Sequence, residues 1–539
     1  MSSIIQSGAD SAIGTKQWLK GAVGYEIYVR SFADSSGDGI GDIAGITGRL
    51  DYLKWIGIDI VWVTPFYPSP GHDHGYDVSF YCDVDPRHGS LDDVDAMIER
   101  AHQLDMKIVF DIVPNHTSSE HRWFKAAIAD PTSPERDYYL FRDPKPDGSP
   151  PNNWVSHFGP RAWTLDEVSG QYYCHLFLPE QPDLNWRNPA VRAEFDAIFK
   201  FWFDRGVDGF RIDVAHGLLK NPDFPDIPLR SEIPAGAGPL ETFFSYDHIY
   251  DLDQDDNVEI FSRWQDVARP YDACLLAESG VTDPERLVRY VGDGALDLTF
   301  FLKPGWLRWE PETFVSELVG LAKLSPDGMS WVTSNHDQAR PASRFGGGTA
   351  GRNRAMAVTT LMFSLGGVPF LYQGEELGSP NGEIAPEHRS DPISTRNSTS
   401  EGRDVSRTPM AWNSDRFNGF STGQPWIVSE ERSPDFTVAG QHANSAAPLH
   451  RYRRLIALRK QLPELWDAEL KMVPSGRDDV AVIQRGSTLT VANLGPAPFA
   501  INLGDSNWKV AFASQGGDGD IASGIVNVAA ETTAIMILT

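Results

Sequence analysis

The sequence predicts an α/β protein: a (β/α)8 barrel with an inserted domain after the third strand and a C-terminal antiparallel β-sandwich. Three observations carry this. Short apolar runs alternate with amphipathic stretches over roughly 440 residues, giving eight strand-and-helix units, the rhythm of parallel strands joined by crossover helices. Charged residues stand at the C-terminal ends of those runs, where barrel enzymes carry their reactive groups. From about residue 470 the pattern shortens to alternating segments such as VAVIQRG, STLTVANL and TAIMILT, which suit antiparallel strands. An eight-stranded doubly wound sheet is the alternative, but it would not need an equal rhythm to the end.

Residues 1–20 read as a lead-in, and AVGYEIYVRSF (22–32) as the first strand. ITGRLDYLKWIG (46–57) has helical spacing and ends at a glycine. IDIVWVTPFYPSP (58–70) is a buried strand closed by prolines. LDDVDAMIERAHQLD (91–105) is the next helix and MKIVFDIVPNH (106–116) the third strand. Residues 117–187, rich in Pro, Asp, Asn and aromatics, break the rhythm. So long an excursion is a lid or a small inserted domain, assigned here to 114–187. The helix at 190–206 and VDGFRIDVA, the fourth strand, resume the pattern. A long loop (217–244) and a helix near 257–269 lead to ACLLAES (273–279), the fifth. ALDLTFF, MSWVTSNHD and VPFLYQGEE are the sixth to eighth, with helices at 284–291, 311–323 and 351–365. A polar loop (377–445) follows, and the helix at 449–462 closes the barrel. The barrel thus takes 1–113 and 188–465, and the C-terminal domain 466–539.

The formal net charge of −27 argues against nucleic acid or an anionic membrane as partner. It suits a neutral or cationic substrate. The three cysteines, Cys82, Cys174 and Cys274, are far apart and form no CxxC pair, which argues against a disulfide framework or structural zinc. The opening MSSIIQSGADSAIGTK lacks a basic start before a long apolar run. No signal peptide or membrane span is expected, so cytoplasmic is the default.

In GVDGFRIDVAHG (206–217), Arg211 and Asp213 point to the same side of the fourth strand. Burying that pair is costly, and a structural ion pair is the plain alternative. The other strand ends decide between them. The third offers Asp111, Asn115 and His116, the fifth Glu278, the seventh Asn335, His336 and Asp337, and the eighth Glu375 and Glu376. Asp111 reads as a structural hydrogen-bonding group, the glutamates as scaffold or rim, and His116 alone as a satisfied polar residue. Asp213, Glu278 and Asp337 would converge on one bowl. Two carboxylates facing across a bond are the equipment of glycoside hydrolysis. Arg211 is expected to lower the pKa of Asp213, making it the nucleophile. Glu278 follows an apolar run and is expected to hold the proton of the acid/base. No cofactor is needed for that chemistry. A catalytic metal is the competing reading, but the acids lack matching histidines at tight spacing.

In DSSGDGIGD (34–42), Asp34, Ser36, Asp38, Asp42 and the carbonyl of Ile40 could supply hard oxygen ligands. The spacing resembles the opening of a calcium loop, without an EF-hand's bidentate Glu. A solvated Asp/Gly turn is the alternative.

The chain resembles the α-amylase superfamily of glycoside hydrolases, family 13. DIVPNH (111–116), GFRIDVAH (209–216), LLAES (275–279) and SNHD (334–337) look like its four conserved regions. QPDLNW (181–186) resembles a further region that marks the oligo-1,6-glucosidase and α-glucosidase branch. The resemblance implies a retaining double displacement, with Asp213 as nucleophile, Glu278 as acid/base and Asp337 as transition-state stabiliser. It implies sugar contacts from Arg211, His116 and His336. Asp73 and Tyr76 would close a pocket around the terminal glucose, which means exo-action. Phe177 and Arg407 match more weakly, on loops. The 34–42 loop resembles that branch's structural Ca2+ (or Mg2+) loop. Val214, directly after the nucleophile, goes with α-1,6 linkages in the resembling enzymes. The expected partners are small α-glucosides and sugar or alcohol acceptors, and the expected state is a monomer or homodimer. A dedicated glucosyltransferase or sucrose-active, isomerising relative is the alternative. A non-catalytic accessory relative is a distant one, because all three acids are present.

Overall fold

The computed structural model describes residues 16–539 except 293, 326, 397–399, 429, 505–506 and 521–523. The first fifteen residues of the expected lead-in therefore lie outside the described residues, while Gln17–Leu19 form a short helical turn.

Three strands open the chain: β1 (Gly24–Ile27), β2 (Ile60–Val63) and β3 (Lys107–Ile112). The insertion follows with β4 (Phe141–Arg142), β5 (Trp163–Asp166) and β6 (Gln171–Cys174), an antiparallel sheet in the order β4-β6-β5. The barrel resumes with β7 (Gly209–Ile212), β8 (Cys274–Ala277), β9 (Leu298–Phe301), β10 (Met329–Trp331) and β11 (Val368–Tyr372). The strands pair in parallel and close in the order β1-β2-β3-β7-β8-β9-β10-β11. All eight strands expected from the sequence are present.

Strand alternation sorts the side chains. Trp62, Val109, Leu276, Leu298, Phe300 and Phe370 fill the barrel interior. Their neighbours Val61, Phe110, Phe210 and Leu275 pack outward under the helices. A Cβ at Gly24 would lie 2.3 Å from the Phe370 ring, so glycine makes room inside β1. The register sets Asp111 opposite Arg211, and Arg211 opposite Leu276. The inward phase of β7 thus carries Arg211, and then Asp213, to the barrel mouth.

Local signals fix the helices. Ser90 and Asp93 form a capping box at the start of Leu91–Gln103. Asn188 caps Pro189–Phe203, with proline in its first turn. The single helix expected over 46–57 is two, Ile43–Thr47 and Leu50–Ile56; Gly48, a weak helix former, falls at the break. The long loops hold short helices of their own, Pro239–Phe244 after β7, and Pro392–Arg396 and Val438–His442 after β11.

The C-terminal strands are β12 (Lys471–Met472), β13 (Val480–Arg485), β14 (Thr488–Asn493), β15 (Phe499–Asn502), β16 (Trp508–Ala513), β17 (Gly519–Asp520), β18 (Ile525–Val528) and β19 (Thr532–Leu538). They form an antiparallel sheet, β12-β13-β14-β19-β16-β17, and a two-stranded partner, β15-β18. One face of β13 turns Ala481 and Ile483 toward barrel helices. The other turns Val480 and Val482 toward Val526 and Val528 of β18. Among the described residues the second layer of the sandwich thus has two strands.

Cys82, Cys174 and Cys274 are free. Among the described residues, no helix is long and apolar enough to cross a membrane.

Candidate active site

The mouth of the barrel is organised around Arg211, which is 1 % exposed. Its Nη1 donates to both Asp111 oxygens (3.0 and 3.1 Å) and to Asp213 Oδ1 (2.5 Å). Its Nη2 stands 3.8 Å from Glu278 Oε2. One guanidinium thus faces carboxylates from three adjacent strands. Asp111 also accepts from Tyr76 Oη (2.9 Å) and Trp62 Nε1 (3.2 Å), so its structural role holds.

The electrostatics differ from the expectation for Asp213. Burial pushes its carboxyl well above the ordinary carboxylate range. Arg211 pulls the other way, while Glu278 and Asp111 add to the rise. The sequence reading gave Arg211 to Asp213 alone; shared among three acids, it does not outweigh desolvation.

Asp337 shows the opposite balance. Burial opposes its charge, but His336 and then Arg403, Arg407 and Arg211 hold it well below the ordinary range. Arg403 Nη1 (3.1 Å) and Arg407 Nη2 (2.7 Å) both donate to its Oδ1. Arg403 Nη2 also reaches Asp73 Oδ1 (2.6 Å) and Asp391 Oδ1 (2.7 Å). The sequence reading missed Arg403 and chose Arg407. The structure corrects that choice as a sugar contact. Arg407 is fully buried and is spent on Asp337, the His336 carbonyl and His74. Arg403, four residues earlier, ties Asp73 to Asp337.

His336 lies between Tyr28 and Tyr76, nearly parallel to both (ring centroids 5.5 and 5.2 Å away). Glu26 Oε1 meets its Nδ1 at 2.6 Å. Its buried Nε2 makes no hydrogen bond among the described residues and faces Asp337 Oδ2 at 3.4 Å. Glu26 was missed; a glutamate in the apolar strand GYEI was its signal. His116 is packed as a wall: its Nδ1 meets Asn115, and its Nε2 meets Gln181 and the Tyr76 carbonyl. Gln181 Nε2 also donates to Asp73 Oδ2 (3.2 Å). The buried Lys220–Asp183 pair (2.8 Å) fastens the QPDLNW segment to the loop after β7. Phe177 borders His116 (5.1 Å) and stacks on His157 (4.6 Å). A cavity of about 310 Å³ lies between the insertion (His157, Phe158), the loop after β7 (Leu240) and the loop after β11 (Ile393, Arg396). Arg403 sits 5.2 Å from the Phe158 ring, so this cavity adjoins the acids. Glu375 and Glu376 are scaffold, accepting from Thr333 and from Tyr25 and Tyr52.

In the expected calcium loop each aspartate side chain takes part in hydrogen bonds. Asp42 caps the helix Ile43–Thr47 and accepts from Ser35 and the Ser36 amide. Asp34 accepts from Ser36, Gly37, Gly39 and Ser421. Asp38 accepts from the Ile40 amide. Among the described residues no cluster of three acidic, His or Cys side chains could hold a metal ion. Donors within the loop and Ser421 from the loop after β11 meet its carboxylates.

A closed parallel barrel with acids from β7, β8 and β10 at its C-terminal mouth defines a class, the barrel glycoside hydrolases. Residues 26–468 match the model of the alpha-amylase catalytic domain, and the chain belongs to that family. It is 37% identical over 539 residues to an oligo-1,6-glucosidase of Heyndrickxia coagulans, covering 92% of this chain and 95% of the relative. It is 38% identical over 472 residues to a probable alpha-glucosidase of Rhizobium meliloti, covering 85% of each. The crystal structure of the alpha-glucosyl transfer enzyme XgtA superposes with a TM-score of 0.89 at 33% identity, covering 97% of this chain and 99% of that one.

Proposed function

We propose that this glycoside hydrolase is an exo-acting, retaining α-glucosidase releasing glucose from the non-reducing end of short α-glucosides. The observation that carries it is the set of three acids around Arg211, closed on one side by the Asp73–Arg403–Asp337 bridge. Such a bridge makes a dead end for one terminal ring.

Asp213 Oδ1 is held by Arg211, which leaves Oδ2 to attack the anomeric carbon. As that C–O bond forms, the bond to the leaving oxygen breaks and Glu278 gives the oxygen its proton. Water then attacks the same carbon, Glu278 takes the water's proton, and the Asp213 ester bond breaks. Two inversions give retention. Asp337, held ionised by its arginines, meets ring hydroxyls and favours the flattened cation-like ring.

An acceptor hydroxyl competes with water for the same ester, so transfer accompanies hydrolysis. The cavity beside Phe158 supports room for an acceptor, and the likeness to a glucosyl transfer enzyme supports the same reading. A dedicated transferase is the second reading, favoured by the likeness to a glucosyl transfer enzyme. The α-1,6 preference rests on Val214 and on likeness to an oligo-1,6-glucosidase. A panel of maltose, isomaltose, sucrose, trehalose and an aryl α-glucoside, with NMR of product anomer and linkage, tests these points. Free α-glucose first, with isomaltose preferred, supports the reading. First-formed β-glucose defeats retention, and mostly longer glucosides at low substrate favour the transferase.

A further inference from the structure

Val214 has φ 47° and ψ 43°. Among the described non-glycine residues with positive φ it is the one β-branched residue, and this region is costly for such a side chain. Neighbouring bonds impose the conformation. The Glu278 amide donates to the Ile212 carbonyl (2.9 Å), the Ala215 amide to the Glu278 carbonyl (2.9 Å) and the Gly217 amide to the Val214 carbonyl (2.8 Å). The turn closes only over glycine, because a Cβ at Gly217 would lie 2.7 Å from both Val214 Cγ1 and Asn115 Oδ1.

The strained turn aims one group. The Val214 N–H donates to Glu278 Oε2 at 2.8 Å. Arg211 Nη2, which also can only donate, lies 3.8 Å from that oxygen. A proton on Oε2 would point at two donors, so the transferable proton belongs on Oε1. We infer that Val214 is a positioning residue. The N–H of the Asp213–Val214 peptide holds Glu278 by Oε2 and reserves Oε1 for the proton passed to the leaving oxygen and regained from water. Nucleophile and acid/base are thereby coupled through one peptide unit. The inference rests on Glu278 being the acid/base.

The test replaces Val214 with its α-hydroxy acid analogue, which keeps the side chain and exchanges the N–H for an ester oxygen. Glu278→Gln is measured in parallel. kcat/KM, which reports the first step, is compared between maltose and α-glucosyl fluoride, whose leaving group needs little protonation. The ester variant should lose about 10- to 100-fold on maltose and stay within about threefold on the fluoride, repeating in milder form the selectivity of Glu278→Gln. Equal losses on both substrates, or none, while Glu278→Gln is selective would overturn the positioning role. A Glu278→Gln variant without selectivity would overturn the acid/base reading and this inference with it. Neutron diffraction of the unmodified enzyme at a pH where Glu278 is protonated gives a second readout: a deuteron on Oε1 supports the assignment and one on Oε2 overturns it.

Discussion

Arg403→Ala removes the residue that joins Asp73, Asp337 and Asp391, with contacts of 2.6, 3.1 and 2.7 Å. Asp73 and Asp391 are buried and would lose the guanidinium that both of them bind. Breaking a buried pair costs about 3–5 kcal/mol, chiefly because a charge stays behind. Asp337 is a third exposed at its side chain, so its share is the smaller. The depressed carboxyls of Asp337 and Asp391 give the penalty a pH signature. Their stabilisation is present above the ordinary aspartate range and is lost as pH falls through their depressed values. The variant should therefore lose about 3–5 kcal/mol near neutrality and less in acid. Because the same bridge shapes the site for the terminal glucose, kcat/KM on an aryl α-glucoside should fall by about 100-fold or more. Arg403→Lys should recover only part of this, since a single ammonium cannot span three carboxylates. Urea titrations across pH and steady-state kinetics supply both numbers. A variant within threefold of the parent in kcat/KM, with an unchanged urea midpoint, would refute the argument.

Other consequences can be checked alongside. Since Asp213 is raised and must be ionised to attack, the acid limb of kcat/KM should lie above the ordinary carboxylate range; activity persisting unchanged to about pH 4 would contradict this. The same raised pKa marks its charge as destabilising, so Asp213→Asn should abolish turnover while increasing Tm; a lower Tm would count against the desolvation account. Lys220→Met should cost about 3–5 kcal/mol by stranding buried Asp183, and adding Asp183→Asn should restore part of it in a double-mutant cycle.

The barrel was legible because its strands are apolar runs of fixed rhythm, and the inward phase of β3 and β7 follows from their registers. Asp213, Glu278 and Asp337 were legible because polar residues at strand ends stand out against such runs. Arg403 and Gln181 sit on irregular loops, where no period tells which side chain turns inward. The choice of Arg407 failed for that reason: four residues apart on a loop, one arginine meets the pocket and the other is buried behind it. Glu26 was readable in principle, as a charge inside GYEI. In the 34–42 loop Asp and Ser serve equally as metal ligands, helix caps and turn formers, so the sequence leaves those roles side by side. The Asp213 pKa could not be read from its neighbour, since the sequence does not say that Arg211 is shared with Asp111 and Glu278.

The central claim is that Asp213 becomes glucosylated. Incubation with 5-fluoro-α-glucosyl fluoride, which slows the second step, followed by intact mass and peptide mapping, tests it directly. One fluoroglucosyl group on Asp213, absent from Asp213→Asn and slowly lost in water, is the predicted result. No adduct under inactivating conditions, or a label on Glu278 or Asp337, would contradict the account.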